Sequence, residues 1–359
     1  MLEVSSSREL EKLGWSTHFE AAFGDFAGDG FVPGRVAVQH RGAYVVWTEA
    51  GELSAELAGR LRQNGDNGGD LPISGDWVVL RPYPEGSGGT IHAVLPRRTA
   101  FSRKEPFKAV REQVLAANVD TVFVVTGLDG DLNLRRLERY LATAWESGAE
   151  PAIVLSKADL SADVEDAVAQ VETVAIGVPV HLVSSVTGEG LDELRAYFTG
   201  NRTVAMLGSS GVGKSTLINC LLGEEVLATA EVRSDGRGRH TTTTRELVPL
   251  PGGGLVLDTP GMRELQLWDA GEGLGTTFGD VEALFERCRF RDCSHQREPG
   301  CAVKRALADG TLDLDRWRSY QKLQRELRAL ELKQDRRARA EEGKKRRRQA
   351  RARRHPKRW

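Results

Sequence analysis

No apolar run in these 359 residues approaches the roughly 18 that a membrane span needs, and the opening MLEVSSSREL has neither the basic nor the apolar stretch of a secretory signal. The two absences predict a cytoplasmic chain with no membrane partner. Cysteine is scarce too, with four in the chain, and three of them, Cys288, Cys293 and Cys301, crowd together near the C-terminal side. In a cytosolic chain such a cluster reads as a metal site rather than as disulfides. The fourth, Cys220 in STLINCLL, reads as core. Charge of one sign is also missing, but the formal net of −1 hides an asymmetry. From Arg336 to Trp359 there are 13 Lys and Arg against 2 Glu, which leaves 37 basic and 49 acidic side chains before them. A tail of +11 on a body of −12 points to a polyanionic partner.

The composition that remains, 40% hydrophobic and 28% charged, is that of a globular chain long enough for two or three domains. Residues 1–33 carry no firm signal and form an N-terminal extension. Over 34–100, short β-type runs broken by Gly and Pro (RVAVQHRGAYVVWTE, ELSAELAGRL, GDWVVLRPYP, GTIHAVLPR) show no helical period and predict a small all-β barrel or sandwich, with RQNGDNGGDLPISG as a mobile loop. Over 110–268 strands and helices alternate, from DTVFVVTGL and NLRRLERYLATAWESG onward, the rhythm of a mostly parallel sheet covered on both faces. Residues 269–334 are helical around the cysteines, and Leu314, Trp317, Tyr320, Leu323, Leu327 and Leu330 make one apolar stripe that packs on them. Residues 335–359 are a basic, disordered tail.

The stretch GSSGVGKST, from Gly208 through Ser209, Ser210, Gly211, Val212, Gly213, Lys214 and Ser215 to Thr216, is a full phosphate-binding loop between an apolar strand and a helix-forming run. Small residues let backbone amides close around phosphate oxygens, Lys214 reaches the terminal phosphates, and Ser215 binds magnesium. Downstream, Asp258 and Gly261 in LVLDTPGM form D-x-x-G, which marks a GTPase-type site. Between them, GRHTTTT offers hydroxyls for a second magnesium ligand: Thr242 first, with Thr241 or Thr243 as alternatives. After Thr216 no base-reading motif occurs. Both candidates lie upstream, SKAD (Ser156, Lys157, Ala158, Asp159) at the end of one strand and SSVTGEG, opening with Ser184 and Ser185, at the end of the next. The order is permuted, which a sheet tolerates because it depends on neighbouring strands and not on chain order.

Cys288, Cys293, His295 and Cys301 fit C-x4-C-x-H-x5-C, a closed tetrahedral set for one structural zinc. Tyr44, Trp47 and Trp77 are candidates for stacking bases, with core packing as the alternative. The tail KKRRRQARARRHPKR suits phosphate contacts.

Taken together, the β-runs, the permuted motifs and DCSHQREPGC resemble the ribosome small subunit-dependent GTPase A family over about residues 34–332. The resemblance implies an N-terminal all-β OB-type barrel, a central circularly permuted P-loop GTPase domain with a mostly parallel sheet, and a C-terminal helical zinc-binding module with a basic tail: a multidomain α/β protein. It implies GTP and magnesium as ligands and the small ribosomal subunit with its rRNA as partner in late maturation. Ser156 departs from the Asn or Thr usual in that family. Met262 stands where many GTPases have a water-orienting Gln, so turnover alone is expected to be slow and stimulated by the subunit. His240 is the candidate catalytic residue, on its place in the motifs and on the resemblance; a capping or solvent-facing histidine is the other reading. The expected state is a monomer. The rivals are a regulatory GTPase with a non-ribosomal protein partner, and a zinc-dependent nucleic-acid module with a decayed nucleotide site.

Overall fold

A computed structural model describes residues 8–40, 42–66, 71–84, 86, 88–104, 112–224, 246–258 and 271–330. Five strands, β1 (Val32–Gln39), β2 (Tyr44–Thr48), β3 (Gly51–Leu57), β4 (Trp77–Pro82) and β5 (Gly88–Val94), close in the order β1-β2-β3-β5-β4-β1, with β3 and β5 parallel. Val36, Val46, Ala55, Val78, Leu80 and Ile91 fill the interior, one inward residue in two along each strand. This is a five-stranded OB-like barrel.

The structure corrects four sequence readings in this part. Tyr44 and Trp77 are buried, so neither ring is available to stack on a base. Residues 8–31 are not featureless: α1 (Arg8–Lys12) and α2 (Thr17–Phe23) set Leu10, Phe19 and Phe23 on Trp77, Val79 and Leu95. At five and seven residues these helices are too short to print a period in the sequence. The run ELSAELAGRL changes from β3 to α3 (Gly59–Asp66) after Leu57. The segment 62–75, expected to be a mobile loop, begins as the end of α3, and Ile73 and Ser74 are buried beside Asp76, which pairs with Arg97 at 2.8 Å.

A hairpin, β6 (Ala100–Lys104) and β7 (Glu112–Ala117), leads into the second sheet. That sheet comprises β8 (Thr121–Gly127), β9 (Glu150–Ser156), β10 (Val180–Val183), β11 (Thr203–Gly208), β12 (Glu246–Pro249) and β13 (Leu255–Asp258), in the order β10-β9-β8-β11-β13-β12, with only β12 antiparallel. β8 and β11 are buried along their whole length, the unbroken apolar pattern of strands covered on both faces. One cover is α4 (Leu134–Glu146) and α5 (Val164–Glu172), the other α6 (Leu191–Arg195) and α7 (Lys214–Leu222). Backbone pairing of Val38 with Glu246 joins the barrel to β12.

The C-terminal part consists of α8 (Gly271–Thr277), α9 (Gly279–Glu282), α10 (Ala302–Asp309) and α11 (residues 314–330). Trp317, Tyr320, Leu323 and Leu327 of α11 pack on Leu274, Phe278, Val281 and Val303. Leu314, 48% exposed, lies off that stripe, and Leu330 is only half-buried. At position 273 only glycine fits, since a Cβ there would stand 2.1 Å from the Ala142 carbonyl oxygen of α4. The close approach is fixed further by Arg316, which is buried between Glu138 of α4 at 3.0 Å and Asp280 of α9 at 2.6 Å.

Candidate functional site

The sheet order brings the separated motifs to one edge. β8, β9 and β11 are adjacent and parallel, so the loops after Gly127, Ser156 and Gly208 emerge side by side at their carboxyl ends. β13 runs parallel to β11 with Ala205 opposite Leu257, which carries the backbone of Asp258 out beside the phosphate-loop strand. His240, Thr242 and Gly261, with Thr241, Thr243 and Met262, lie outside the described residues, as does the 335–359 tail.

The phosphate loop leaves β11 at Gly208, where a Cβ would stand 2.3 Å from the Val125 carbonyl oxygen of β8. It enters α7 at Lys214, whose ammonium donates to the carbonyls of Gly208 at 2.9 Å and Ser209 at 2.5 Å. That contact curls the lysine over its own loop. The amides at the start of α7 and its dipole favour an anion there.

The first upstream motif is bonded into this loop, and the second is bonded to the first and to α7. Lys157, in the left-handed region at φ 58°, donates to the Gly211 carbonyl at 2.7 Å and to Asp129 at 2.5 Å. Ser156 is buried, and its hydroxyl donates to the Val212 carbonyl at 2.7 Å, so what it supplies here is loop position. Asp159 is exposed, and its Oδ1 accepts from the Ser184 hydroxyl at 2.6 Å. The same Ser184 oxygen accepts from the amides of Val186 and Thr187, so one hydroxyl fixes the second loop against the carboxylate of the first. The Ser185 carbonyl in turn accepts from the Cys220 thiol of α7 at 3.6 Å. Asp129 escaped sequence reasoning because nothing in the spacing of GLDGD marks it; only the adjacency of β8 and β9 brings it to Lys157.

Away from this edge, Cys288, Cys293, His295 and Cys301 bring their ligand atoms within 4.8 Å of one another. His295 turns Nδ1 to the sulfurs, 3.6 Å from Cys288 and 3.5 Å from Cys301, and stacks on Phe285 at 4.4 Å. Against the cost of burial, the amides of Ala302 and Val303 at the start of α10 hold the Cys288 thiol below its ordinary pKa. Burial and the sulfurs of Cys301 and Cys288 push Cys293 up to about 11. Burial also lowers His295, which keeps the imidazole neutral and able to donate a lone pair. Three sulfurs and one imidazole at this spacing resist several negative charges until a cation neutralises them, so the donor set fits a bound metal ion. Glu298, also missed from the sequence, shapes the loop: its carboxylate accepts from the Ser294 hydroxyl and from the amides of Ser294, Gln296 and Arg297, which holds its pKa at about 2.

No helix among the described residues is long and apolar enough to cross a membrane. Residues 94–268 match the family model described as RsgA GTPase. A small ribosomal subunit biogenesis GTPase RsgA from Opitutus terrae is 53% identical over 327 residues, 88% of this chain and 89% of that one. Another of that description from Streptomyces coelicolor is 46% identical across 94% and 92% of the two chains. Among solved structures, YjeQ from Thermotoga maritima matches with a TM-score of 0.62 at 29% identity over 83% of this chain and 98% of that one. YloQ, described as a circularly permuted GTPase, matches with 0.59 at 26% identity over 84% and 97%. With the motif order permuted on an intact sheet and identity above half along nearly the whole length, this chain belongs to the RsgA GTPase family.

Proposed function

We propose that this protein hydrolyses GTP as a factor in late maturation of the small ribosomal subunit, binding rRNA of that subunit, as a cytoplasmic monomer. The observation that carries the reading is the junction of SKAD and SSVTG with the phosphate loop through Lys157 on Gly211 and Ser184 on Asp159. A base reader and a phosphate reader on one rigid edge can measure a whole guanine nucleotide. Relatives named as small ribosomal subunit biogenesis GTPases supply the biological setting.

In this reading Asp159 accepts the two donors of the guanine edge while Ser184, Ser185 and Ala158 close on the ring. Lys157 and Ser156 hold the loop, and the amides from Ser209 to Thr216 with the Lys214 ammonium take the phosphates. Ser215 and Thr242 would hold magnesium, with Asp258 reaching it through water, and the ion would supply positive charge against the charge that develops on the phosphates. Gly261 offers its amide to the γ-phosphate, and His240 orients the attacking water in place of the Gln that Met262 replaces. That task needs an ordered switch, so turnover is slow until the subunit orders it. The cysteines and His295 hold a structural zinc that stabilises their module, and the chain divides functionally at about residues 34, 110, 269 and 335. With Tyr44 and Trp77 committed to the core, RNA contact falls mainly to the zinc module and the tail.

The test is cosedimentation with purified small subunits at fixed salt, with a nonhydrolysable GTP analogue or GDP. We expect retention with the analogue and release with GDP, together with faster GTP hydrolysis when subunits are added. Equal binding in both states, or hydrolysis indifferent to subunits, sinks the proposal.

A further inference from the structure

A cavity of about 370 Å³ opens onto the Cys3His cluster, with Cys293 and His295 in one wall and Phe285, Phe290, Trp317, Tyr320, Gln321 and Gln324 in the rest, and Arg291 and Ser294 at its side. It lies at the small end of the range for ligand pockets, which suits one ring system better than a peptide segment. Its walls are mostly flat rings. Trp317 stacks on Tyr320 with 16° between planes, and Phe285 meets both edge-on. Phe290 is 40% exposed although it is a large apolar side chain, and the Arg289 guanidinium lies 5.5 Å from its ring centroid.

Two carboxamides stand in this aromatic setting. Gln324 donates its Nε2 to the Tyr320 hydroxyl, and Gln321 has no side-chain partner among the described residues. A carboxamide carries both a donor and an acceptor, the complement of a nucleobase edge, while guanidinium groups beside the opening suit the phosphate attached to that base. We propose that this cavity binds a single unstacked RNA base, with Phe290 as the stacking platform, Gln321 and Gln324 reading the edge, and Arg289 and Arg291 meeting the flanking phosphates. This deepens the ribosomal reading by naming the class of RNA element the zinc module selects: an unpaired nucleotide and not a duplex, whose bases are already stacked and paired.

The test uses the full-length, metal-loaded protein and 5′-labelled single-stranded RNA hexamers of one base each, by fluorescence anisotropy at about 0.3 M salt, where the tail's phosphate contacts are weakened. Phe290→Ala should lower affinity about ten-fold, and Phe290→Trp should retain it. Gln321→Ala should change the ranking among the four hexamers more than the mean affinity. Metal content and GTP hydrolysis without subunits should match the parent in each variant, since Phe290 and Gln321 touch neither site's chemistry. Unchanged hexamer affinity in Phe290→Ala overturns the proposal. So does a loss confined to subunit cosedimentation, because the cavity then receives a protein side chain. The hexamer result stands apart from the ribosomal reading: a parent protein that ignores subunits but loses hexamer binding with Phe290 would refute that reading and leave the base pocket intact.

Discussion

Arg316→Met should loosen the C-terminal helices from the GTPase sheet while leaving the sheet itself stable. The guanidinium is buried with 5% of its side chain exposed; it donates to Glu138 at 3.0 Å, to Asp280 at 2.6 and 2.8 Å and to the Thr277 carbonyl at 3.0 Å. Breaking a buried pair from one side costs roughly 3–5 kcal/mol, because the other charge is left in the protein. Two features place this case at the lower end. Arg135 still neutralises Glu138 at 2.6 Å, and burial already pushes the Glu138 carboxyl above its ordinary pKa, so it can take a proton instead of staying charged. About 3 kcal/mol is therefore expected, or roughly a 150-fold rise in the opening equilibrium. Methionine keeps apolar contact with the Phe278 ring, over which the guanidinium sits at 4.8 Å. The pH dependence has a definite sign. A carboxyl whose folded pKa lies above its unfolded value, about 4.3, contributes stability that is complete below that value and is lost as pH rises through the folded one. The deficit of the variant should thus be smaller at pH 5 than at pH 8. Because a multidomain chain need not unfold in one step, the assay is hydrogen exchange by mass spectrometry on peptides from 271–330 and from β8 and β11. Glu138→Gln added to Arg316→Met should restore most of the protection. Acceleration below about five-fold, or a double variant as loose as the single one, would refute the reasoning.

Lys214→Ala should abolish GTP hydrolysis with unchanged thermal unfolding, since the ammonium serves phosphate charge and loop carbonyls rather than core packing; normal turnover would remove the phosphate loop from the site. Asp159→Asn should shift preference from GTP toward XTP by at least ten-fold in competition binding, because an amide cannot accept both guanine donors. Ser156→Ala should weaken GTP-analogue binding several-fold without altering base preference, as the Val212 carbonyl loses its buried donor at a cost of about 1–2 kcal/mol; an altered base preference would mean that the hydroxyl reads the base. Cys293→Ser should reduce the metal bound per chain relative to the parent, measured by atomic absorption, and speed exchange across 285–310 while β8 and β11 stay protected.

Much of this was legible in the order of residues alone. The phosphate loop, SKAD and the cysteine spacing are local: backbone amides, a carboxylate and clustered thiols act over a few residues, so the pattern states the chemistry. Strands β8, β9 and β11 read clearly because burial on both faces demands an unbroken apolar run. The short helices of residues 8–23 did not read, since one or two turns give no period. The three aromatics of the barrel read ambiguously for a different reason. Tyr44 points into the barrel, Trp77 lies on its outer face under Phe19 and Phe23, and Trp47 is half-exposed, its indole donating to Glu52; alternation along a strand cannot say which face will be covered until the barrel closes and the N-terminal helices pack on it.

By itself, then, the sequence determined which chemistries the chain carries and that their order is permuted, because each motif is a short covalent neighbourhood with one physical use. The tertiary structure decided how the motifs meet. Sheet adjacency sets Lys157 on Gly211 and against Asp129, the Ser184 hydroxyl on Asp159, and Ser156 on a carbonyl 56 residues away. It also seats Arg316 between carboxylates of two parts and leaves an aromatic cavity beside the cysteines. Contacts at such separations are selected by packing and by the need to satisfy buried polar groups across the whole fold, and no local pattern of residues encodes them.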